Sequence, residues 1–384
     1  MKILIAHNRY QQLGGEDVVF ENESRLLALA GHQVKKLIVA NDQIKSIFDK
    51  VEATLRTVDN PLGAAAIHEA IIGFTPDIIH VHNFFPLLSP AIYQVCRERD
   101  IAVVQTLHNF RPICSGSQLF RNGEICTLCL RGSSIWGVLH RCYRDSFVAS
   151  AAAARMITVH KRRGTWSNSV SRYIALTNFA RNIFIENGFP SDRVDVKPNF
   201  LEDPGPPSPS VNRTGILFVG RLSQEKGVQI LVEAARQFGF PVRIAGTGPQ
   251  METLRQGAPS VVTFLGPIQR EMVIAEMCRA VAVVLPSMWY EGFPMVIIEA
   301  FACATPVIAS DLGGISEIVE DGKTGLLAAS GDTMALGKQI TRLLADQVLS
   351  RRLGEAARRT FLKKYTPDVN LKSLESIYAK AVSK

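Results

Sequence analysis

No stretch of this 384-residue chain approaches the roughly 18 consecutive apolar residues that a membrane-spanning helix needs. The opening Met1–Ala6 run gives way to His7-Asn8-Arg9 too soon for a signal peptide, so it reads as a buried first strand and the chain is expected to be cytoplasmic. Compositional bias is absent too: 47% hydrophobic and 20% charged residues exclude a disordered or collagen-like chain. No short internal repeat occurs, so any likeness between the two halves of the chain is architectural only. No recognisable nucleic-acid-binding motif accompanies the basic residues, so nucleic acid is not an expected partner. Cysteine is sparse, and the seven present are expected to be thiols or metal ligands before disulfides in a reducing compartment.

What is present is an α/β rhythm repeated in two halves. A chain this long exceeds a typical single domain, which points to two cores. Short apolar runs alternate with helical patterns, as in parallel sheets buried on both faces. In the first half the strand candidates are Lys2–Ala6, Val34–Val39, Asp77–Val81, Ile101–Thr106 and Tyr173–Leu176. In the second they are Gly215–Val219, Val242–Ala245, Val261–Leu265, Ala282–Leu285 and Pro306–Ala309. Between them Glu202–Ser210 carries four prolines and reads as a linker. The expected division is a Rossmann-like domain over 1–200 with an insertion at about 110–145, a linker over 201–212, and a second Rossmann-like domain over 213–384. A last helix at about 367–382 is expected to pack on either domain.

Charge is local. From Arg97 to Arg172 there are 12 basic and 4 acidic residues, a surplus matching the whole chain's +8. That surplus suits an anionic membrane surface or a phosphate-bearing substrate, although a merely solvated face would look the same.

Three loops carry chemistry. Pro286–Ala300 follows a strand and leads into an apolar helix, with Glu291 in the loop and Glu299 expected about two turns inside the helix. An unpaired carboxylate at Glu299 among Val296, Ile297, Ile298 and Phe301 would be costly, which weighs against a passive surface role. Phe218–Gly227 ends a strand in Gly220 and places Arg221 and Lys226 five positions apart. A planar guanidinium fork beside a compact ammonium suits the charge that gathers on a departing diphosphate, without a metal. Ala245–Pro249 and Asp311–Val319 add glycine turns that either approach phosphate through backbone amides or serve only as tight turns.

Taken together, Glu291-Gly292-Phe293-Pro294, the Glu-x7-Glu pair Glu291/Glu299, and Gly220-Arg221 followed by Lys226 resemble glycosyltransferase family 4, whose members are retaining enzymes of two-domain GT-B architecture. The resemblance implies two Rossmann-like domains facing across a cleft. It implies that Glu291 holds donor-sugar hydroxyls, Glu299 the ribose hydroxyls, and Arg221 with Lys226 the diphosphate. Gly14 and Gly15 match the family's glycine-rich loop near the donor phosphates, and His108 stands where the family's active-site histidine meets the donor sugar. His80 and His82 flank Val81; at most one is expected to face the cleft, with His82 favoured. The expected partners are a nucleotide-diphosphate sugar and a glycan or lipid-linked acceptor, with no cofactor required for catalysis, since no Asp-x-Asp triplet sits at a strand end. Rival readings are an epimerase or phosphorylase of the same architecture, the latter without its cofactor-lysine motif, and a non-catalytic sugar-nucleotide or glycan binder.

The insertion departs from many family members. It holds Cys114, Cys126, Cys129 and Cys142, a Cys-x11-Cys-x2-Cys-x12-Cys pattern in which one zinc half-site is evident. A structural zinc and a set of unliganded thiols are both compatible with this spacing. Cys96, Cys278 and Cys303 are expected to be core thiols.

Overall fold

The computed structural model describes residues 1–10, 14–41, 52, 54–205 and 212–383. The chain divides into two compact units. The first comprises Met1–Leu119, Cys126–Pro198 and Asn370–Lys384; the second comprises Phe120–Ile125 and Asn199–Val369. Most of the expected linker, 206–211, lies outside the described residues.

The first unit is built on a six-stranded parallel sheet of β1 (Lys2–Arg9), β2 (Gln33–Ala40), β3 (Ile78–Asn83), β4 (Ala102–Leu107), β7 (Arg172–Ala175) and β8 (Val194–Val196). Their order is β2-β1-β3-β4-β7-β8. Every residue of β3 and β4 is buried, including the polar His80, His82, Asn83, Gln105 and Thr106, as in a parallel sheet covered on both faces. Within the insertion, β5 (Phe120–Arg121) and β6 (Glu124–Ile125) form a small antiparallel hairpin.

The second unit repeats the plan with β9 (Ile216–Val219), β10 (Val242–Ala245), β11 (Val262–Gly266), β12 (Ala282–Leu285), β13 (Val307–Asp311) and β14 (Gly325–Ala329). Their order is β11-β10-β9-β12-β13-β14, the doubly wound arrangement of dinucleotide-binding sheets. The ten expected strands are all found, and the structure adds one edge strand to each sheet, β8 and β14.

The last helix, Pro367–Val382, begins in the second unit and ends in the first. Leu374, Ile377, Tyr378 and Ala381 join the core formed by Ile3, Ile5, Phe20, Ile78 and Val104. Burying each larger apolar side chain contributes about 1.5–3 kcal/mol, so this face is a strong anchor. Polar contacts fix its register: Tyr378 Oη lies 2.8 Å from His80 Nδ1, and Lys380 reaches Asp195 at 3.0 Å.

In each sheet the strand order reverses at one place, between β1 and β3 in the first and between β9 and β12 in the second. Loops leaving the carboxyl ends of strands at such a reversal diverge and leave a crevice, where ligands of open α/β sheets bind.

Candidate active site

At the reversal in the second unit, the loop after β9 carries Gly220, the exposed Arg221 and the short helical turn Gln224–Lys226. The loop after β12 carries Ser287, Trp289 and Glu291. The two meet: Lys226 Nζ donates to both carboxylate oxygens of Glu291, at 2.7 and 3.0 Å, and Ser287 Oγ donates to Oε1 at 2.7 Å. Glu291 is 6% exposed, so these bonds offset the cost of burying its charge. Lys226 also stands 5.3 Å from the Trp289 ring centre. The backbone closes the junction, with the Met288 amide donating to the Glu225 carbonyl at 2.8 Å.

Pro294 stands at the N-cap of the helix Met295–Ala302, leaving Gly292 and Phe293 in the loop. Glu299 therefore sits about one turn inside the helix, not two, because the helix starts only after the proline. Burial pushes the Glu299 carboxyl up, with the nearby Arg270 charge opposing the shift. Gly246, at φ +136°, is required by packing: a Cβ there would stand 1.9 Å from the Gly220 carbonyl oxygen. Gly313 and Gly314 precede a helix of only four residues, Ile315–Ile318.

At the reversal in the first unit, Gly14 caps the helix Gly15–Leu29 and donates its amide to Asp17 Oδ2 at 2.7 Å. A Cβ on Gly15 would meet nothing within 4 Å, so the backbone here lies open. The histidines form a layer. His80 is fully buried, with its ring nitrogens 2.8 Å from Tyr378 Oη and 2.7 Å from Thr106 Oγ1. His82, 2% exposed, lies behind His108: its Nδ1 is 3.0 Å from His108 Nε2. Both His82 and His108 line the same small cavity, while His80 is held away from it by Tyr378 and Thr106, so of the pair flanking Val81 it is His82 that borders the open space.

Behind His82 stand a buried carboxylate and a buried ammonium. Glu23 Oε2 is 3.5 Å from His82 Nε2, and Lys197 donates to Glu23 Oε1. Burial, with His7 and Lys197 close by, pushes His108 down to about 3, so its ring is neutral at physiological pH. His108 lines a small cavity with Asn83, Gln105, Asn109 and Arg111. Beside it Glu16 accepts from Asn83 at 3.1 Å and from Asn109 at 3.3 Å, and burial, reinforced by Asp17, pushes its carboxyl up to about 8.

Glu16, Glu23 and Lys197 were not singled out by sequence reasoning. The available signal was a helix face on which Glu16, Phe20, Glu23 and Leu27 follow at helical spacing, so that carboxylates interrupt an apolar stripe.

Elsewhere, Cys96 and Cys303 are fully buried, as expected of core thiols, whereas Cys278 is only half-buried. None of Cys114, Cys126, Cys129 and Cys142 is in a disulfide. Among the described residues, no helix is long and apolar enough to cross a membrane.

Two family profiles match the chain end to end with one another: Glycosyltransferase Family 4 over residues 13–203 and Glycosyl transferases group 1 over residues 203–360. An exopolysaccharide phosphotransferase of Streptomyces coelicolor is 31% identical over 264 residues, covering 62% of this chain and 28% of that protein. With this and two further curated relatives, the aligned region spans about half or less of the relative's own length. Among solved structures, sucrose-phosphate synthase from Thermosynechococcus elongatus superposes with a TM-score of 0.72 at 18% identity, covering 99% of each chain. Anabaena HepE, solved in complex with UDP-glucose, superposes with a TM-score of 0.68 at 19% identity, covering 99% of this chain and 100% of its own. At these identities the structural likeness concerns the fold.

Proposed function

Because the chain belongs to the family 4 glycosyltransferases of GT-B architecture, we propose that it moves a sugar from a nucleotide-diphosphate donor to a glycan or lipid-linked acceptor with retention at the anomeric carbon. The observation that carries this reading is the Lys226–Glu291–Ser287 cluster at the strand-order reversal of the second sheet, with Arg221 exposed beside it. HepE, of the same fold, was solved with UDP-glucose, which supports a nucleotide sugar as the donor class.

In this mechanism Arg221 and Lys226 take the diphosphate. As Lys226 turns to phosphate, Glu291 becomes free to accept hydroxyl hydrogens of the sugar, and Glu299 to accept those of the ribose. The bond from the anomeric carbon to the phosphate oxygen breaks while the acceptor oxygen bonds to that carbon on the same face. The acceptor proton passes to the departing phosphate oxygen, and the cations stabilise the charge that remains. Charge stabilisation by side chains makes Mg²⁺ and Mn²⁺ dispensable, so addition of either to resin-stripped buffer is expected to leave the rate unchanged.

The acceptor is proposed to lie at an anionic membrane surface, where the protein would be peripheral. The basic surplus from Arg97 to Arg172 supports this. So does exposed apolar surface on Ile135, Trp136, Leu139, Phe147 and Val148 in the same stretch. Binding to anionic vesicles that weakens with salt is the expected result; no binding, or indifference to salt, would remove the membrane from the proposal.

The decisive experiment screens UDP-, GDP- and ADP-sugars for thermal stabilisation, then follows the stabilising donor by NMR with and without acceptor sugars. Release of nucleoside diphosphate with an α-configured product from an α-configured donor supports the reading. Donor binding without release identifies a binder, and interconversion of the sugar nucleotide without release identifies an epimerase.

A further inference from the structure

The stretch between β4 and the helix Phe147–Arg162 is poor in regular structure. It holds a four-residue helix, Leu128–Arg131, a five-residue helix, Ile135–Leu139, and the two-residue strands β5 and β6. Ten non-glycine residues with positive φ occur among the described residues, and six are here: Ser117, Leu119, Asn122, Arg141, Arg144 and Asp145. Each such residue costs on the order of 1–3 kcal/mol, and single-turn helices are too short to offset that by themselves. A segment of this kind needs a staple, as small scaffolds do.

The four cysteines of the insertion stand where a staple would act. Cys114 closes a turn, its amide donating to the Phe110 carbonyl at 2.8 Å. Two residues on, Gly116 lies against Cys142, so that a Cβ there would be 3.4 Å from Cys142 Cβ. The Cys142 amide donates to the Gly137 carbonyl at 2.9 Å, and a Cβ built on Gly137 would stand 3.7 Å from Cys129 Sγ. Gly137 also has no room for a side chain, since its Cβ would lie 2.5 Å from Ser115 Oγ, next to Cys114. Three chain segments are thus packed together around Cys114, Cys129 and Cys142. Cys126 enters at the close of the hairpin, its amide on the Leu119 carbonyl at 2.8 Å, three residues before Cys129.

None of the four is in a disulfide, so each sulfur is available as a ligand. A divalent cation at their centre offsets the repulsion that four neighbouring thiolates would feel, and its binding releases their protons.

A second cluster does not compete. The ligand atoms of Glu23, His80 and His82 lie within 4.8 Å of one another. However, both His80 nitrogens are already hydrogen-bonded, and Glu23 already holds the Lys197 ammonium, so a cation there would face a buried positive charge.

We propose that Cys114, Cys126, Cys129 and Cys142 bind one structural Zn²⁺ in a four-sulfur site. Thiolate donors select zinc or another thiophilic metal over Mg²⁺ or Ca²⁺. Tetrahedral Zn–S bonds of about 2.3 Å put the sulfurs roughly 3.8 Å apart, so binding draws the four inward from the positions seen here. The site is closed, with no position left for water or substrate, and its work is to hold the insertion that carries Trp136 and Leu139. This proposal is independent of the transferase reading.

The test is elemental analysis of the full chain purified without added metal or chelator. One zinc per chain is expected, with the four thiols shielded from a thiol reagent until the metal is displaced. Cys129→Ser is expected to lose the zinc, while Cys278→Ser, outside the cluster, retains it. Should Cys129→Ser fail to fold, Co²⁺ exchanged into the unsubstituted protein gives an independent readout. Intense thiolate-to-cobalt absorption with tetrahedral visible bands is the expected spectrum. Metal-free protein that takes up no Zn²⁺ on addition, four freely reacting thiols, disulfides among them, or an octahedral Co²⁺ spectrum would each overturn the proposal.

Discussion

His82 Nδ1 lies 3.0 Å from His108 Nε2, and this contact determines which nitrogen of His108 keeps a lone pair. The Glu23 carboxylate faces His82 Nε2, and both atoms lack any other hydrogen-bond partner. A carboxylate favours a proton on that nitrogen, which leaves His82 Nδ1 as an acceptor. His108 must then donate from Nε2, which leaves the lone pair on its Nδ1.

The relay predicts a separation of stability from activity. Glu23→Gln alone leaves Lys197 buried without its counter-charge and is expected to cost about 3–5 kcal/mol in a denaturant titration. Adding Lys197→Met removes the stranded charge and is expected to restore most of that stability. Turnover is expected to stay low in the double variant, because a neutral Gln no longer enforces the His82 tautomer. Long-range proton–nitrogen NMR is expected to show His108 as the Nε2–H form in the unsubstituted protein and a mixture in the double variant. Wild-type turnover in a stable double variant would show that the relay is only structural.

The Lys226–Glu291 bond predicts coupling between residues 65 positions apart. Glu291→Gln and Arg221→Ala are each expected to lower kcat by roughly 10²–10³, the scale for losing one charge-stabilising group from a preorganised site. Lys226→Met combined with Glu291→Gln is expected to cost far less than the product of the single effects, since each single change already breaks their shared contact. Strictly multiplicative losses in steady-state kinetics would mean that the two act separately.

The donor-side loops were legible because their residues fall in contiguous motifs at strand ends, as in Glu291-Gly292-Phe293-Pro294. The relay was not, since Glu23, His82, His108 and Lys197 come from four separate elements and only tertiary packing brings them together. Periodicity found five strands of each sheet but missed β8, where Val194-Asp195-Val196 is too short and too polar to stand out, and β14, which opens on a glycine. The docking side of the last helix depended on partners that a helical pattern alone does not name, chiefly His80 for Tyr378 and Asp195 for Lys380.

Glu16 gives a pH signature with a definite sign. Its folded carboxyl titrates at about 8 against an ordinary value of 4.5, so between these values the unfolded chain is ionised while the folded one holds its proton. Stability from this group is complete below about pH 4.5 and is lost as pH rises through 8. Glu16→Gln keeps the amide contacts without titrating. Its stability relative to the unsubstituted protein is therefore expected to rise steadily across that window and level off above it. Parallel stability curves for the two proteins from pH 5 to 9 would show that Glu16 is not perturbed.

The junction of the two donor-side loops depends on one glycine. Gly227 has φ +68°, and a Cβ there would stand 1.9 Å from the Pro286 carbonyl oxygen. Gly239, which caps the helix Val228–Phe238, has a similar φ of +72° but nothing within 4 Å of its Cβ position. Substituting alanine at Gly239 therefore reports the left-handed backbone alone, at about 1 kcal/mol. Alanine at Gly227 adds a clash with backbone that cannot swing aside, and it must push Pro286 away from the Lys226 turn. That movement is expected to part Lys226 from Glu291 and to separate the Met288 amide from the Glu225 carbonyl, lowering both stability and donor binding. Thermal melts with and without donor measure the two effects together: Gly239→Ala is expected to lower Tm slightly with the donor-induced shift intact, and Gly227→Ala to lower Tm more and abolish the shift. Equal behaviour of the two variants would mean that the loops do not need this close approach to form the site.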